Sequence, residues 1–211
     1  MDEPRVRHPI FARYYIRAAR AMERGGIGER RAKLLTGLQG RILEVGAGDG
    51  LNFAHYPAEG VRVSAVEPEP HLRAAARRAA RRATAPVEVA DGVAEHLPFA
   101  DTSFDAAVAT LVLCSVADQR AALREVRRVL RPGGRLCFLE HVQALTPGMR
   151  RAQRLVDATL GPRLLGGCHC GRDTLSEIAA AGFTVVGLER FLFPEARLPQ
   201  SFHVSGQALR T

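Results

Sequence analysis

Three glycines at alternate positions dominate the stretch "ILEVGAGDG", residues 42–50. Glycines that follow a strand let the backbone approach a ligand closely, and the start of a helix offers unpaired N–H groups to it. The stretch therefore predicts a nucleotide-binding turn. Counted from Gly46, the sixth residue is Leu51. Counted from Gly48 it is Phe53, so neither frame completes the dinucleotide motif G-x-G-x-x-G.

A carboxylate stands at the end of the next predicted strand, in "VEPEP". Glu67 follows Gly46 by 21 residues, and from such a position it can accept hydrogen bonds from both hydroxyls of a ribose. A ribose site without the geometry for two phosphates indicates a cofactor that contains adenosine but no pyrophosphate.

Sulfur and imidazole groups are the other candidates for chemistry. Cys114 and His141 stand near the predicted ends of two strands, where open α/β sheets place their ligand crevice. We expect Cys114 to be a small apolar wall. Two interpretations of His141 stay open, a general base and a histidine packed at a strand end.

A second group of soft ligands occurs in "GGCHCGRDT", which contains Cys168, His169 and Cys170. The C-x-C spacing is tighter than the usual C-x₂-C spacing of zinc sites, and the sequence shows no second cluster to complete a tetrahedron. We therefore expect no bound metal.

Short β-rich runs alternate with helical patterns, which predicts an α/β chain with a parallel sheet covered on both faces. We expect strands at 41–46, 61–67, 87–91, 104–113 and 135–142. Helices are expected at about 50–56, 69–83, 93–96 and 118–131, the last halted by Pro132 and Gly133. A helix at about 172–181 precedes two strands, 183–191 and 202–209, which are best joined as an antiparallel pair.

The first 40 residues contain two helical patterns, at 8–26 and 28–38. The first is amphipathic, and its apolar face carries Ile10, Phe11, Tyr14, Tyr15, Ala18 and Met22. This helix either caps the sheet or forms a lid over the crevice, and we favour the lid. One domain, 1–211, is thus expected, with a helical lid at 1–40, a ligand-binding core at 41–142 and a segment with the last strands at 143–211.

The formal net charge of +8 comes largely from one helical pattern that begins at His71. Its arginine pairs, 77–78 and 81–82, are spaced i, i+4 and form a solvated helix face without aromatic side chains that could stack on bases. We expect no nucleic-acid partner, whereas attraction to a membrane surface stays open. No apolar run approaches 18 residues and no secretory signal is visible, so the expected location is cytoplasmic.

Four stretches, taken in order, resemble the successive motifs of class I S-adenosylmethionine-dependent methyltransferases: "LEVGAGDG", "AVEPEP", "AEHLPFADTSFDAAVATLVLCSV" and "LREVRRVLRPGGRLCFLEHV". The resemblance covers about residues 40–142. Within it, "TLVLCSV", "EVRRVLRPGG" and "LEHV" are similar to the small methyltransferase-like proteins known as thiol, formerly phospholipid, methyltransferases. The resemblance implies S-adenosylmethionine as cofactor, S-adenosylhomocysteine as product, and a Rossmann-like, doubly wound sheet of seven strands, mostly parallel, with an antiparallel last strand.

The resemblance also assigns cofactor-binding roles. The turn would hold the methionine part and the ribose, with contributions from Glu44, Gly46, Ala47, Gly48, Gly50 and Phe53. Glu67 would bind the ribose hydroxyls and Pro68 would border the adenine. The adenine edge would face Val93, Ala94 and Glu95, and the methionine would lie over residues 111–115, with Leu111, Cys114 and Ser115. Many relatives carry Asp where this chain has Val93, so adenine recognition falls to backbone groups or to Glu95.

Methyl transfer from a sulfonium is an in-line displacement from an already activated donor, so the protein chiefly orients the reactants and excludes water. The resemblance implies a small-molecule acceptor, with a thiol first, since its thiolate is the reactive form. Residues expected on the acceptor side are His141 as base, Tyr14, Tyr15 and Ser115, with the Cys168 segment above them ahead of a helix cap at Asp173 or Thr174. Alternatives are O-, N- or C-methylation of a lipid, quinone or natural product, and cofactor binding without turnover.

Overall fold

A seven-stranded sheet forms the centre of the computed structural model, which describes residues 9–159, 162 and 167–211. The strands are β1 Gly40–Val45, β2 Val61–Val66, β3 Val87–Ala90, β4 Phe104–Thr110, β5 Leu130–His141, β6 Phe183–Leu192 and β7 Phe202–Arg210. Their order is β3-β2-β1-β4-β5-β7-β6, with β3 to β5 parallel and β7 antiparallel to both of its neighbours. The predicted fold class and the antiparallel late pair are confirmed.

Six α-helices are described: α1 Pro9–Met22, α2 Gly28–Leu35, α3 Pro70–Ala80, α4 Gln119–Val129, α5 Pro147–Asp157 and α6 Thr174–Ala180. Carboxylates cap three of them, because the side chains of Glu69, Asp118 and Asp173 each accept a hydrogen bond from a first-turn N–H of α3, α4 and α6. The predicted cap at Asp173 is confirmed.

The sheet is buried on both faces, as the continuous apolar strands predict. Along β1, Leu43 packs into a core with α4 and α6, whereas its neighbour Ile42 packs into a second core with α2 and α3. Successive strand residues point to opposite faces, so an apolar run without alternation is what such a two-sided sheet requires.

Several predicted element bounds are wrong: β4 ends at Thr110 instead of 113, β5 begins at Leu130 instead of 135, and three predicted helices also differ. Residues 50–56 form only a short 3₁₀ turn, Leu51–Ala54, because Gly50 is left-handed at φ +85° and breaks a regular helix start. Residues 93–96 form a β-bridge between Val93 and His96 instead of a helix. Helix α4 ends at Val129, and the "RPGG" turn belongs to an irregularity at the start of β5.

In the part of the chain that the structure describes, no helix has both the length and the apolar character needed to cross a membrane.

Candidate active site

The carboxyl ends of β1, β2, β4 and β5 meet at one edge of the sheet. The chain winds outward from β1 through β2 to β3, and then on the other side from β4 to β5, so the strand order reverses between β1 and β4. Open α/β sheets bind their ligands at such a switch point. The predicted nucleotide turn follows β1, and the loop 111–115 follows β4.

The glycine turn adopts a backbone that other residues avoid. Gly46 and Gly48 have φ of +65° and +58°. A Cβ on Gly46 would lie 2.5 Å from Cγ2 of Val112, so the turn touches the loop after β4. A Cβ on Gly48 would lie 3.4 Å from the ring of Tyr15, which places α1 on its other side.

Glu67 holds the turn from the end of β2. Its carboxylate accepts hydrogen bonds from the N–H groups of Gly48 at 2.8 Å and Glu69 at 2.9 Å. Burial raises the pKa of Glu67 to about 7, while these two hydrogen bonds oppose the rise. Each oxygen accepts one bond and keeps acceptor capacity for a further donor. This arrangement fits the expected ribose.

Glu44 lies below the turn in a buried polar network. The hydroxyl of Tyr56 donates to it at 2.7 Å and Nδ2 of Asn52 at 3.2 Å, and Arg31 in turn donates to Asn52 at 2.7 Å. Burial raises the pKa of Glu44 to about 7, with the Tyr56 bond and Arg31 opposing it. The structure thus gives Glu44 partners within the protein that the sequence did not indicate, because Arg31 and Tyr56 belong to no recognised motif.

Glu140 fixes the loop after β4. Its two oxygens accept hydrogen bonds from the backbone N–H groups of Val112 at 3.0 Å, Leu113 at 2.9 Å and Cys114 at 3.2 Å. The carboxyl is fully buried, and burial raises its pKa to about 7 against those three bonds. Sequence reasoning missed Glu140, although an acidic residue inside the apolar run "CFLEHV" was a usable signal.

Helix α1 lies over this edge through Tyr15. Burial raises the pKa of Tyr15 to about 12, and the nearby Asp49, Glu67 and Cys114 add to the rise while Arg31 opposes it. Tyr14 is 63% exposed and lies on the outer face. The side chains of Ile10 and Phe11, predicted on the apolar face, lie outside the described residues.

The residues expected near the adenine, Pro68 and 93–95, make contacts within the protein. Ala94 packs into the core, and Glu95 accepts hydrogen bonds from the N–H groups of Ala117 at 2.8 Å and Asp118 at 3.2 Å. The carbonyl of Pro68 accepts a hydrogen bond from Arg73. Glu95 therefore holds the loop ahead of α4.

A Cys–His cluster forms beside the loop after β4, from Cys114, His141 and Cys168. The two sulfur atoms lie 3.4 Å apart, and Nδ1 of His141 lies 3.4 Å from Sγ of Cys168 and 3.7 Å from Sγ of Cys114. The sequence grouped Cys168 with His169 and Cys170 instead. Cys170 turns away, since its N–H and thiol both contact Asp157.

The cluster members shift one another's pKa. The contact with Cys114 and the neighbouring His141 lower the pKa of Cys168 to about 5, against burial, while the same contact and burial raise that of Cys114. Burial lowers the pKa of His141, but Cys168 and Glu140 outweigh it and raise the value. His203 packs on His141 at 4.2 Å between ring centroids, and burial lowers its pKa to about 3.

The segment 167–171 is docked on the loop 111–115 by its backbone. The N–H of His169 donates to the carbonyl of Cys114 at 2.8 Å, and a Cβ on Gly167 would lie 2.9 Å from the carbonyl oxygen of Ser115. The distances place Cys168 over Cys114, in keeping with the interpretation of this segment as a cover for the crevice.

A family model described as "Methyltransferase domain" matches residues 43–138. The human thiol S-methyltransferase TMT1B is 38% identical to the chain over 189 residues, which cover 84% of this chain and 75% of the relative. A demethylmenaquinone methyltransferase of Clavibacter sepedonicus is 36% identical over 126 residues, which cover 59% of this chain and 51% of that protein.

A solved structure from Thermotoga maritima, described as a SAM-dependent methyltransferase and possible histamine N-methyltransferase, superposes with a TM-score of 0.70. It covers 96% of this chain and 99% of its own, at 22% sequence identity. At that identity the likeness shows the fold alone.

Proposed function

The chain belongs to the S-adenosylmethionine-dependent methyltransferases, and from this premise we propose that it methylates the sulfur atom of a small-molecule thiol. The similarity to a human thiol S-methyltransferase over 84% of the chain carries the proposal. The Cys–His cluster supports it, because it gathers soft, sulfur-compatible groups at the loop after β4.

S-Adenosylmethionine is the cofactor, and when bound it supplies a methyl group already activated by a sulfonium. The residues proposed to hold it are the glycine turn, Glu67 for the ribose, and the loop 111–115 for the methionine part. Their work is to bind, to orient and to exclude water. Glu140 contributes indirectly, since it positions three successive N–H groups of that loop.

On the acceptor side we assign Tyr15, Ser115 and His141. Tyr15 projects from α1 onto Gly48 of the glycine turn, so it serves as the lid residue. His141 is the proposed catalytic residue, with Nδ1 facing the position where two sulfurs already meet. Tyr14 is exposed and drops out of the proposed site.

The proposal places the enzyme in the cytoplasm and requires no nucleic-acid partner. All four cysteines, each within the described part of the chain, are free thiols, which fits a reducing compartment. Cell fractionation and detection of the protein in the cytoplasmic fraction test the location.

The test of function is a panel of small thiols, phenols, quinols and amines, incubated with the protein and S-adenosylmethionine. Release of S-adenosylhomocysteine and the mass of the methylated product are measured for each compound. Thiols are expected to react fastest. Turnover confined to quinols would favour the chemistry named for the Clavibacter relative. Tight cofactor binding with no methylated product from any class would favour a protein that binds without turnover.

A further inference from the structure

The Cys–His cluster has the dimensions of a metal site. In tetrahedral zinc sites the Zn–S bond is about 2.3 Å and the Zn–N bond about 2.0–2.1 Å, which puts two sulfurs about 3.8 Å apart and a sulfur and a nitrogen about 3.5 Å apart. The corresponding distances here are 3.4 Å between the sulfurs, and 3.4 Å and 3.7 Å from the sulfurs to Nδ1. All three ligand atoms lie within 4.8 Å of one another. Small shifts would bring them onto three corners of a tetrahedron.

We propose that Cys114, His141 and Cys168 bind a zinc ion, and that its fourth position takes the thiolate of the acceptor. The identity of the fourth ligand rests on the proposed function. The assignment of the three protein ligands does not depend on it. From the sequence we expected no metal, because no second ligand cluster accompanies the C-x-C pair. The fold supplies the missing ligands, since it pairs one cysteine of the segment with Cys114 and His141 from two strand ends.

The ligand set favours zinc over other ions. Two thiolates and one imidazole are soft to borderline donors, which zinc prefers and which calcium and magnesium avoid. Three protein ligands with an open fourth position are typical of catalytic zinc, whereas structural zinc is usually closed by four.

The surroundings hold each ligand in place. The ring of His141 packs against the ring of His203, with 4.2 Å between the ring centroids, while its Nδ1 faces the two sulfurs. Cys114 is fixed through its N–H by Glu140 and through its carbonyl by the N–H of His169. The second contact also ties the Cys168 segment to it.

The chemistry needs no oxidant or reductant. Each thiol that binds loses its proton to solvent as its sulfur forms a bond to the metal, so the acceptor is held as the thiolate that attacks a methyl group. The ion carries two positive charges and the two cysteine thiolates carry two negative ones. The three-ligand site is therefore neutral before the acceptor binds.

The test uses the full chain, freed of metal and kept reduced with a phosphine, and titrated with Co²⁺ as a spectroscopic substitute for Zn²⁺. One Co²⁺ per chain is expected, with the intense visible absorption of a tetrahedral thiolate site. Cys168→Ser and His141→Ala should each weaken binding by more than about 100-fold, beyond the 10- to 100-fold typical of outer contacts. Cys170→Ser is the matched control, because this sulfur lies two residues away and contacts Asp157 instead. It should bind as the wild type does.

Adding 2-mercaptoethanol should shift the Co²⁺ spectrum, and ethylene glycol at the same concentration should not. A readout without variants is alkylation of the wild type, in which Zn²⁺ should protect the half-buried Cys168 from iodoacetamide. Absence of Co²⁺ binding by the reduced wild type, or binding unaffected by both ligand substitutions, would overturn the site. A disulfide between Cys114 and Cys168 in a protein that binds no metal after reduction would do the same.

The metal site and the proposed function can fail separately. If the metal-free protein methylates thiols at the full rate, zinc is excluded from catalysis while the function stands, and His141 returns to the role of a base. If the protein binds zinc as described but methylates only non-thiol acceptors, the three-ligand site stands and thiol methylation falls.

Discussion

The glycine turn after β1 and the Cys–His cluster beside β5 both contact the loop 111–115, yet different atoms hold them there. The turn is held by backbone conformation and by carboxylates that accept from backbone N–H groups, as Glu67 does from Gly48. The cluster is held by side chains brought from three separate parts of the chain. Backbone geometry tolerates few substitutions, whereas a side-chain cluster can be rebuilt one residue at a time. A fold can therefore keep one kind of cofactor turn while the side chains beside it change from protein to protein.

Replacing Glu140 by Ala should have the largest effect, because both regions depend on the loop that it fixes. Three buried or half-buried N–H groups would lose their acceptor, and the free energy of unfolding should fall by about 3–5 kcal/mol. Urea denaturation measures it. Glu95→Ala is the control, since Glu95 also accepts from two N–H groups but at an exposed loop, and about 1 kcal/mol or less is expected. Equal losses would show that burial is not the cause.

Replacing Glu67 by Ala tests the cofactor side alone. Cofactor binding should weaken by about 2–4 kcal/mol, because a charged acceptor for the ribose hydroxyls is removed. Calorimetry with S-adenosylhomocysteine gives the affinity. Metal binding at the Cys–His cluster should stay unchanged, so loss of both would contradict the separation of the two regions. An unchanged cofactor affinity would remove Glu67 from the site.

Gly46→Ala and Gly48→Ala separate backbone strain from steric clash. Both residues have positive φ, which costs a non-glycine residue about 1–2 kcal/mol. Only Gly46 also meets a side chain, Val112, at a distance that no real Cβ contact adopts, so its substitution should cost about 1–2 kcal/mol more. Thermal unfolding of both variants checks the order. A larger loss for Gly48→Ala would contradict it.

The buried carboxyl of Glu44 gives the cofactor side a pH dependence. Its pKa is about 7 in the folded protein and about 4.5 in an unfolded chain, so the folded state holds this proton more tightly. Its contribution to stability is fully present below about pH 4.5 and is lost as the pH rises through 7, by about 2–3 kcal/mol. Glu67 and Glu140 are shifted in the same direction, so the wild type should lose more stability than this between pH 5 and pH 8, and in urea unfolding the fall should be about 2–3 kcal/mol smaller for Glu44→Gln. Parallel slopes would refute the assignment.

Tyr15→Ala and Tyr14→Ala should show the smallest difference of these pairs, measured as the change in the free energy of cofactor binding. Tyr15 covers Gly48, and its loss should weaken cofactor binding by about 1–2 kcal/mol through lost packing. Tyr14 is exposed and its substitution should stay within about 0.5 kcal/mol. Calorimetry on both variants decides whether α1 acts as a lid or only as a cap on the sheet.

Much of the proposed cofactor side could be inferred from the sequence, because its signals are local. The glycines, the strand before them and Glu67 all fall within 26 residues, from 42 to 67, and each has a direct physical meaning. The fold class followed from the alternation of strands and helices. The role of Glu140 was not predicted, because its partners lie 26 to 28 residues away in the sequence. They are backbone N–H groups, which the residue types do not reveal.

The geometry of the proposed acceptor side could be inferred only in part. His141 was recognised from its place at a strand end, and so was Cys114, but their meeting with Cys168 depends on a contact across 54 residues. The adjacent residues of "CHC" suggested one group of ligands. In the fold Cys168 joins Cys114 and His141, whereas Cys170 contacts Asp157. Spacing along the chain indicates a metal site when the ligands stand in short recurring pairs, whereas the three residues proposed here come singly from separate segments.

The position of β7 between β5 and β6 sets an order of events during synthesis of the chain. Edge strand β6 joins the sheet through β7, and the register pairs His141 with His203. Domains generally fold as units, so this domain cannot be completed while β7 is still in the ribosome. His203 follows His141 by about 60 residues, and at synthesis rates of about 5–20 residues per second it becomes available to pair with His141 only about 3–12 seconds later.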